Sequence, residues 1–102
     1  MLNDGGNLPL HPREPVFRAA FARVLNELRT EAGMSQGAVA AASGYTLQYI
    51  SNLENRESTP TLTAFGEIVL AMKGSPGRAM DRVVDLLPKF AHLEAKGADP
   101  KA

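Results

Sequence analysis

Residues 35–55 constrain the fold of this chain more than any other part of the sequence. They predict two short helices joined by a tight turn at Gly44, because glycine adopts the positive φ angle of such a turn at no steric cost. Four apolar residues are expected at the contact between the two helices: Val39, Ala40, Ile50 and Leu53. A larger side chain at position 40 would push the helices apart. The stretch therefore predicts a compact unit of two steeply crossed helices.

Six positions in this stretch follow a specific spacing: Gln36, Ala40, Gly44, Ile50, Ser51 and Glu54. The pattern continues outward at Arg29, Gly33, Ser35, Pro60 and Leu62. With these residues the chain resembles the Cro/repressor-type helix-turn-helix family (XRE-like, lambda repressor-like) of DNA-binding proteins, over roughly residues 17–72. A motif of this length is more specific than a short one. The resemblance implies an all-α, five-helix lambda-repressor-like domain. The alternative is an unrelated helical hairpin with a chance glycine in its turn.

Composition places the chain among single-domain globular proteins. With 102 residues, 44% of them hydrophobic, it has enough apolar material for one modest core. It contains no cysteine, which excludes disulfides and thiolate metal sites and fits a reducing cytosol. The sequence has neither an apolar run of about 18 residues nor a signal-peptide pattern, so we expect no membrane span and no secretion.

Charge is the main argument against a nucleic-acid partner. The chain has 11 basic and 11 acidic residues, whereas DNA-binding domains usually carry a basic surface. The local distribution matters more than the total, and Arg13, Arg18, Arg23 and Arg29 make the first third slightly positive. Between residues 31 and 60, Arg56 is the only cation. Contacts with DNA in this stretch would therefore depend on uncharged groups and on helix N-termini.

Apolar periodicity and capping residues predict five helices. The first covers about residues 16–32 and ends at Gly33, a natural C′ position. The second and third begin after Ser35 and Thr46, whose hydroxyl groups can accept hydrogen bonds from the first turn, and the third ends near residue 54. The fourth follows Thr61 to about residue 72, and the fifth covers about residues 78–87. Pro88 lacks the N–H that a helix interior requires, so we expect a short additional helical turn to begin there.

The segments outside these helices divide the chain into four parts. Residues 1–15 predict an irregular arm rich in glycine and proline; His11 and Arg13 can reach a DNA groove from it, although a solvated tail is the preferred interpretation. Residues 16–76 form the expected DNA-binding domain. Residues 77–96 form a C-terminal helical segment, and residues 97–102 form a frayed tail.

The sequence contains no arrangement of residues suited to catalysis. Its two histidines, His11 and His92, lie in the arm and near the C-terminus, and no cluster of His, Asp or Glu has the spacing of a metal site. A glycine-rich phosphate loop is also missing. We therefore expect no enzyme activity, no metal and no cofactor.

The resemblance assigns contacts with base edges to the second helix of the motif. Leu47, Gln48 and Asn52 lie at the positions that make these contacts in the family. Gln48 and Asn52 can each form bidentate hydrogen bonds with adenine, whereas Leu47 can contact only a thymine methyl group. Family members often have a polar residue at the position of Leu47, so the preferred DNA sequence stays open.

The resemblance also implies contacts with DNA phosphates at the start of the first motif helix and in the loop after the second. The candidates are Gln36, Asn55 and Arg56, together with the hydroxyl groups of Tyr45, Thr46 and Tyr49. Packing beside the first helix of the chain is an equal alternative for Tyr49. For Gln36 the alternative is a plain exposed helix start.

Two further assignments concern structure and assembly. In the family, an arginine late in the first helix pairs with the glutamate that ends the second motif helix, so Arg29 and Glu54 resemble a structural ion pair. We also expect a two-fold dimer contact on the apolar stripe near the C-terminus, formed by Met80, Val83, Val84, Leu87 and Phe90.

Two functions remain open from the sequence. The first is a cytoplasmic, sequence-specific transcriptional regulator, expected to be a repressor, that binds a two-fold operator in double-stranded DNA as a homodimer. The second is a protein-interaction module, such as an antitoxin that holds a protein partner through its apolar C-terminal stripe.

Overall fold

The computed structural model describes residues 12–95, and within that range it contains five helices and no strand. The helices are α1 (Glu14–Glu31), α2 (Gln36–Ser43), α3 (Leu47–Glu54), α4 (Leu62–Ala71) and α5 (Pro76–Ala95). This confirms the expectation of an all-α, five-helix domain. The expected arm, up to residue 11, and the expected tail, residues 97–102, lie outside the described residues.

Hydroxyl groups cap the starts of four helices. Ser35, Thr46 and Thr61 each accept a hydrogen bond at 3.0 Å from the backbone N–H three residues further on, at the predicted starts of α2, α3 and α4. Ser75 does the same for α5, from the N–H of Arg78 at 3.3 Å. Each cap satisfies a donor that the first helical turn leaves without a partner.

Proline occupies the first turn of α1 and of α5, and both helices begin two residues earlier than the periodicity predicted. Pro15 lies in the first turn of α1 and Pro76 is the first residue of α5. A proline fits there because the N–H that it lacks would have no partner within the helix.

The helices α1, α3 and α4 end in the same backbone arrangement. The second residue after each helix has a positive φ angle: 70° at Gly33, 65° at Arg56 and 65° at Lys73. In each case the N–H groups of this residue and the next donate to carbonyls of the last turn, which is a Schellman motif. Arginine and lysine rarely adopt this conformation. Two of these three helix ends therefore lack the glycine that would indicate them in the sequence.

One core joins all five helices. The helix α1 packs against α3 and α5, α2 packs against α3 and α4, and α4 packs against α5. Phe21 of α1 and Phe65 of α4 meet edge to face, with their ring centroids 5.1 Å apart. Val24 of α1 and Val83 of α5 are completely buried in the same cluster. Residues before and after the predicted boundary at residue 76 therefore share one core.

The helix α5 continues through Pro88 to Ala95, so the expectation that Pro88 begins a new turn is wrong. Pro88 cannot donate to the carbonyl of Val84, four residues earlier. Both residues lie on the solvent side of the helix, where water can satisfy that carbonyl. Phe90 follows the proline and is only 7% exposed. Its burial stabilises the helical conformation beyond Pro88.

Replacing Pro88 by alanine should raise the free energy of unfolding by about 2 kcal/mol. A proline inside a helix costs about 3 kcal/mol relative to alanine, and about 1 kcal/mol of this is offset because proline restricts the unfolded chain. Urea unfolding of both proteins measures the difference. As a control, Asp85→Ala at an exposed position of the same helix should change stability by no more than about 0.7 kcal/mol. Equal or lower stability of the Pro88→Ala variant would contradict this prediction.

Candidate nucleic-acid interface

The two motif helices pack against each other through the apolar residues that the sequence predicts. Val39 of α2 and Ile50 and Leu53 of α3 are at most 2% exposed. Gly44 has a φ angle of 85° and its N–H donates to the carbonyl of Ala40 at 3.0 Å, which ends α2 and turns the chain toward α3. The buried side of α3 is thereby fixed, and its opposite side faces solvent.

A hydrogen-bond network around Glu54 fixes α3 relative to α1 and α2. Nε and Nη2 of Arg29 donate to Oε2 and Oε1 of Glu54 at 2.7 and 3.0 Å, which is a bidentate ion pair. The side-chain amides of Asn26 and Gln36 each donate to Oε1 of Glu54 at 3.1 Å. Nη1 of Arg29 donates to the carbonyl of Met34 at 2.9 Å. The network thus connects α1, the turn after it, α2 and the last residue of α3.

The network favours the ionised form of Glu54. Burial raises the pKa of this carboxyl group, but the hydrogen bonds from Arg29, Asn26 and Gln36, together with the charge of Arg29, outweigh that effect and lower the pKa below its ordinary value. The hydrogen bond with Glu54 raises the pKa of Arg29 in turn. The two side chains are 6% and 16% exposed, respectively, so removal of either one would leave a largely buried charge without its partner.

The solvent side of α3 carries the residues expected to contact bases. Leu47 is 54% exposed, Gln48 is exposed and Asn52 is half-buried. Nε2 of Gln48 donates to Oδ1 of Asn52 at 2.8 Å, one helical turn away. This bond orders the Gln48 amide and leaves its oxygen and its second N–H free. Those two groups are the acceptor and the donor that a bidentate contact with adenine requires.

The phosphate candidates at the starts of α2 and α3 have partners within the chain. Gln36 uses one amide N–H on Glu54 and retains a second donor. The hydroxyl group of Tyr45 donates to Oε1 of Glu67 on α4 at 3.0 Å, which raises the pKa of Tyr45. Thr46 is occupied as the cap of α3. The ring of Tyr49 is half-buried and lies 5.3 Å from the ring of Tyr45, between centroids.

The loop after α3 carries the other two phosphate candidates. Asn55 donates its amide to Oγ of Ser51 at 3.3 Å, and Arg56 is exposed. The far end of the loop is attached to α1, because the hydroxyl group of Thr59 donates to Glu14 and accepts from Nε of Arg18 at 3.1 Å. These contacts hold the end of the loop against α1.

Several residues that shape this interface were not identified from the sequence. Asn26 lies three residues before Arg29 on the same side of α1, so helical spacing could have shown its place in the network. Glu67 and Thr59 have no comparable local signal. Their partners, Tyr45 and Glu14, are 22 and 45 residues away in the chain.

Two other kinds of feature are absent from residues 12–95. In that range, no group of three His, Asp or Glu side chains could hold a metal ion. The same residues include no helix that is both long and apolar enough to cross a bilayer.

The packed pair of α2 and α3, joined by a tight turn at Gly44 within a five-helix core, defines a helix-turn-helix protein. The helix-turn-helix family model HTH_3 matches residues 25–77, which is more than half of the chain. The chain therefore belongs to the HTH_3 helix-turn-helix family, a family of DNA-binding transcription regulators and not of enzymes.

Solved structures of such regulators share the fold. An HTH_3 family transcriptional regulator from Vibrio cholerae is 25% identical with a TM-score of 0.63; the match covers 67% of this chain but only 38% of that one. The clp gene regulator ClgR from Corynebacterium glutamicum is 21% identical over 83% of this chain and 90% of its own, with a TM-score of 0.71. The restriction-modification controller protein C.Esp1396I is 22% identical over 68% and 88%, with a TM-score of 0.63. Comparison with curated proteins found no match.

Replacing Glu54 by alanine should lower the free energy of unfolding by about 3 kcal/mol at neutral pH, because Arg29 would remain buried without its partner. The pKa of Glu54 is lowered in the folded state, so its stabilising effect is complete above the unfolded value of 4.5 and is lost as the pH falls through the lower folded value. The difference between wild type and variant should therefore shrink below pH 4.5.

Thermal unfolding between neutral and acid pH measures this difference. Glu57→Ala is the matched control, because Glu57 is an exposed carboxylate near the same helix end and forms no ion pair with the other described residues. An unchanged melting temperature of the Glu54→Ala variant at neutral pH would show that the network has no role in stability.

Proposed function

We propose that this chain is a sequence-specific transcriptional regulator that binds double-stranded DNA through α3. One observation carries the proposal: an uncharged surface, on which Leu47 and Gln48 are exposed and Asn52 is half-buried, lies on a helix whose other side is buried in the core. The major groove of DNA admits one helix, and a helix presented in this way can place its N-terminal half against base edges.

The start of α2 and the loop after α3 would fix the protein on the DNA backbone. Ser35 caps α2, and the N-terminus of a helix attracts a phosphate through its free N–H groups and its dipole. The second amide N–H of Gln36 adds a donor at the start of α2, and the exposed side chain of Arg56 adds donors after the end of α3. Contacts of this kind position the protein without reading the sequence.

We further propose that the regulator acts as a repressor on a two-fold operator, as a homodimer whose half-sites lie about one helical turn of DNA apart. The outward side of α5 provides the contact. Val84 is 51% exposed, and Met80 and Leu87 are half-buried beside it on the same side of the helix. Val83 and Phe90 lie in the core of the single chain, so they are removed from the proposed dimer contact.

The variant Gln48→Ala should lower the preference for one base pair of the operator by about 1–3 kcal/mol, the usual value of a bidentate contact. Binding of the variant to operators with each base changed in turn measures this preference. Thr63→Ala, an exposed polar position on α4, should leave the base preference unchanged. An equal loss on operator and unrelated DNA would show that Gln48 contacts only the backbone.

The variant Val84→Glu should convert the dimer into a monomer and weaken operator binding, because a charge would be buried at the two-fold contact. Sedimentation at tens of micromolar protein measures the assembly. Leu70 on α4 is also exposed, at 59%, so Leu70→Glu is a matched control that should remain dimeric. A wild-type monomer at this concentration would contradict the dimer and favour the protein-interaction module as the role of the α5 surface.

A further inference from the structure

Three cations from three segments of the chain lie around one aromatic ring. Cζ of Arg56 is 5.3 Å and Cζ of Arg23 is 5.9 Å from the ring centroid of Phe90, and Nζ of Lys89 is 6.0 Å from it. Arg56 belongs to the loop after α3, Arg23 to α1, and Lys89 to the part of α5 beyond Pro88. In a chain with a formal net charge of zero, these residues concentrate positive charge at one place. We call them the Phe90 basic cluster.

Most of the charge in the Phe90 basic cluster is not neutralised. Nε of Arg23 donates to Oε2 of Glu27 at 3.0 Å, but neither Arg56 nor Lys89 forms an ion pair with another described residue. Contact with an aromatic face attracts a cation while leaving its charge and its N–H donors available. Arg23 uses only Nε on Glu27, so the N–H donors of its two terminal nitrogens remain available, although the carboxylate offsets part of its charge.

The ring also determines where Arg56 lies. Phe90 is 7% exposed, so the surrounding core holds its position. The backbone of Arg56 has a φ angle of 65°, a conformation that arginine rarely adopts, within the Schellman motif that ends α3. The guanidinium group is therefore held directly beside the end of α3, the helix proposed to enter the groove.

We propose that the Phe90 basic cluster binds a backbone phosphate of duplex DNA, so that Arg23 and Lys89 contact DNA together with Arg56. This inference rests on the proposed function, because the cluster adjoins the end of α3. Phosphate is the matching ligand, since it presents several negative oxygens to cations that converge from different segments. Phe90 is a positioning residue in this arrangement, and the second half of α5 contributes to DNA binding through it.

The salt dependence of binding tests this proposal. The affinity of the full chain for its selected operator is measured between about 50 and about 200 mM salt. The slope of log affinity against log salt is negative, and each lost phosphate contact reduces its magnitude by about 0.9. Lys89→Gln should reduce this magnitude by up to about 0.9 per bound protomer. Arg23→Gln should reduce it by less, because Glu27 already pairs with Arg23. Both variants should also weaken binding to the operator and to unrelated duplexes by the same factor.

Arg78→Gln is the matched control, because Arg78 is an exposed cation at the opposite end of α5 and its loss changes the net charge equally. Its slope should equal that of wild type. If Lys89→Gln and Arg78→Gln behave alike, whether both change the slope or neither does, the phosphate site is overturned. Absence of any DNA binding by wild type would overturn the proposed function itself, which is a different result.

Phe90→Leu separates positioning from packing, because leucine retains an apolar side chain in the core and removes the aromatic face. The magnitude of the salt slope should be reduced in Phe90→Leu, as it is in Arg56→Gln. The variant that carries both substitutions should show a reduction smaller than the sum of the two single reductions. Thermal unfolding is measured in parallel. A lower melting temperature with an unchanged slope would limit Phe90 to packing and overturn its positioning role.

Discussion

The buried ion pair between Arg29 and Glu54 is the constraint on which the rest of the interface depends. The helix α3 has eight residues, and a helix of that length is marginal in water by itself. Its orientation comes from the apolar contact with α2 and from the carboxylate of Glu54, which gathers donors from α1 and α2. Because the carboxylate is almost fully buried, α3 has one orientation in which these donors are all satisfied. That orientation determines which side chains face solvent.

A neutral chain can present a binding surface for DNA if its cations are placed selectively. The face of α3 is uncharged, so in the proposed complex it would contribute hydrogen bonds and apolar contact but little electrostatic attraction. Positive charge lies next to that face, where Arg56 rests on Phe90. Acidic residues such as Glu27 and Glu54 are used within the chain, where they pair with Arg82 and Arg29. The net charge of the chain is therefore a poorer guide to DNA binding than the question of which charged side chains are paired within the chain.

The helix α5 has apolar residues both in the core and on the solvent-exposed surface. Val83 and Phe90 are seven residues apart, which is about two helical turns, and both lie in the core. Val84 and Leu93 face solvent from the same helix. The apolar stripe read from the sequence combined these two sides, because hydrophobic spacing does not show which residues another helix covers. Through Phe90, the helix that carries the proposed dimer contact also reaches the loop after α3.

Local sequence signals determined the helices, the tight turn and the exposed face of α3. Hydroxyl caps at Ser35, Thr46 and Thr61 and the glycine at position 44 act within a few residues, so their effect can be read without the rest of the chain. Only the tertiary structure decided that α5 continues past Pro88, that Gln36 bonds to Glu54 and that the guanidinium group of Arg56 lies beside Phe90. These outcomes depend on partners that are distant in the chain, and the burial of Phe90 outweighs the local preference of Pro88.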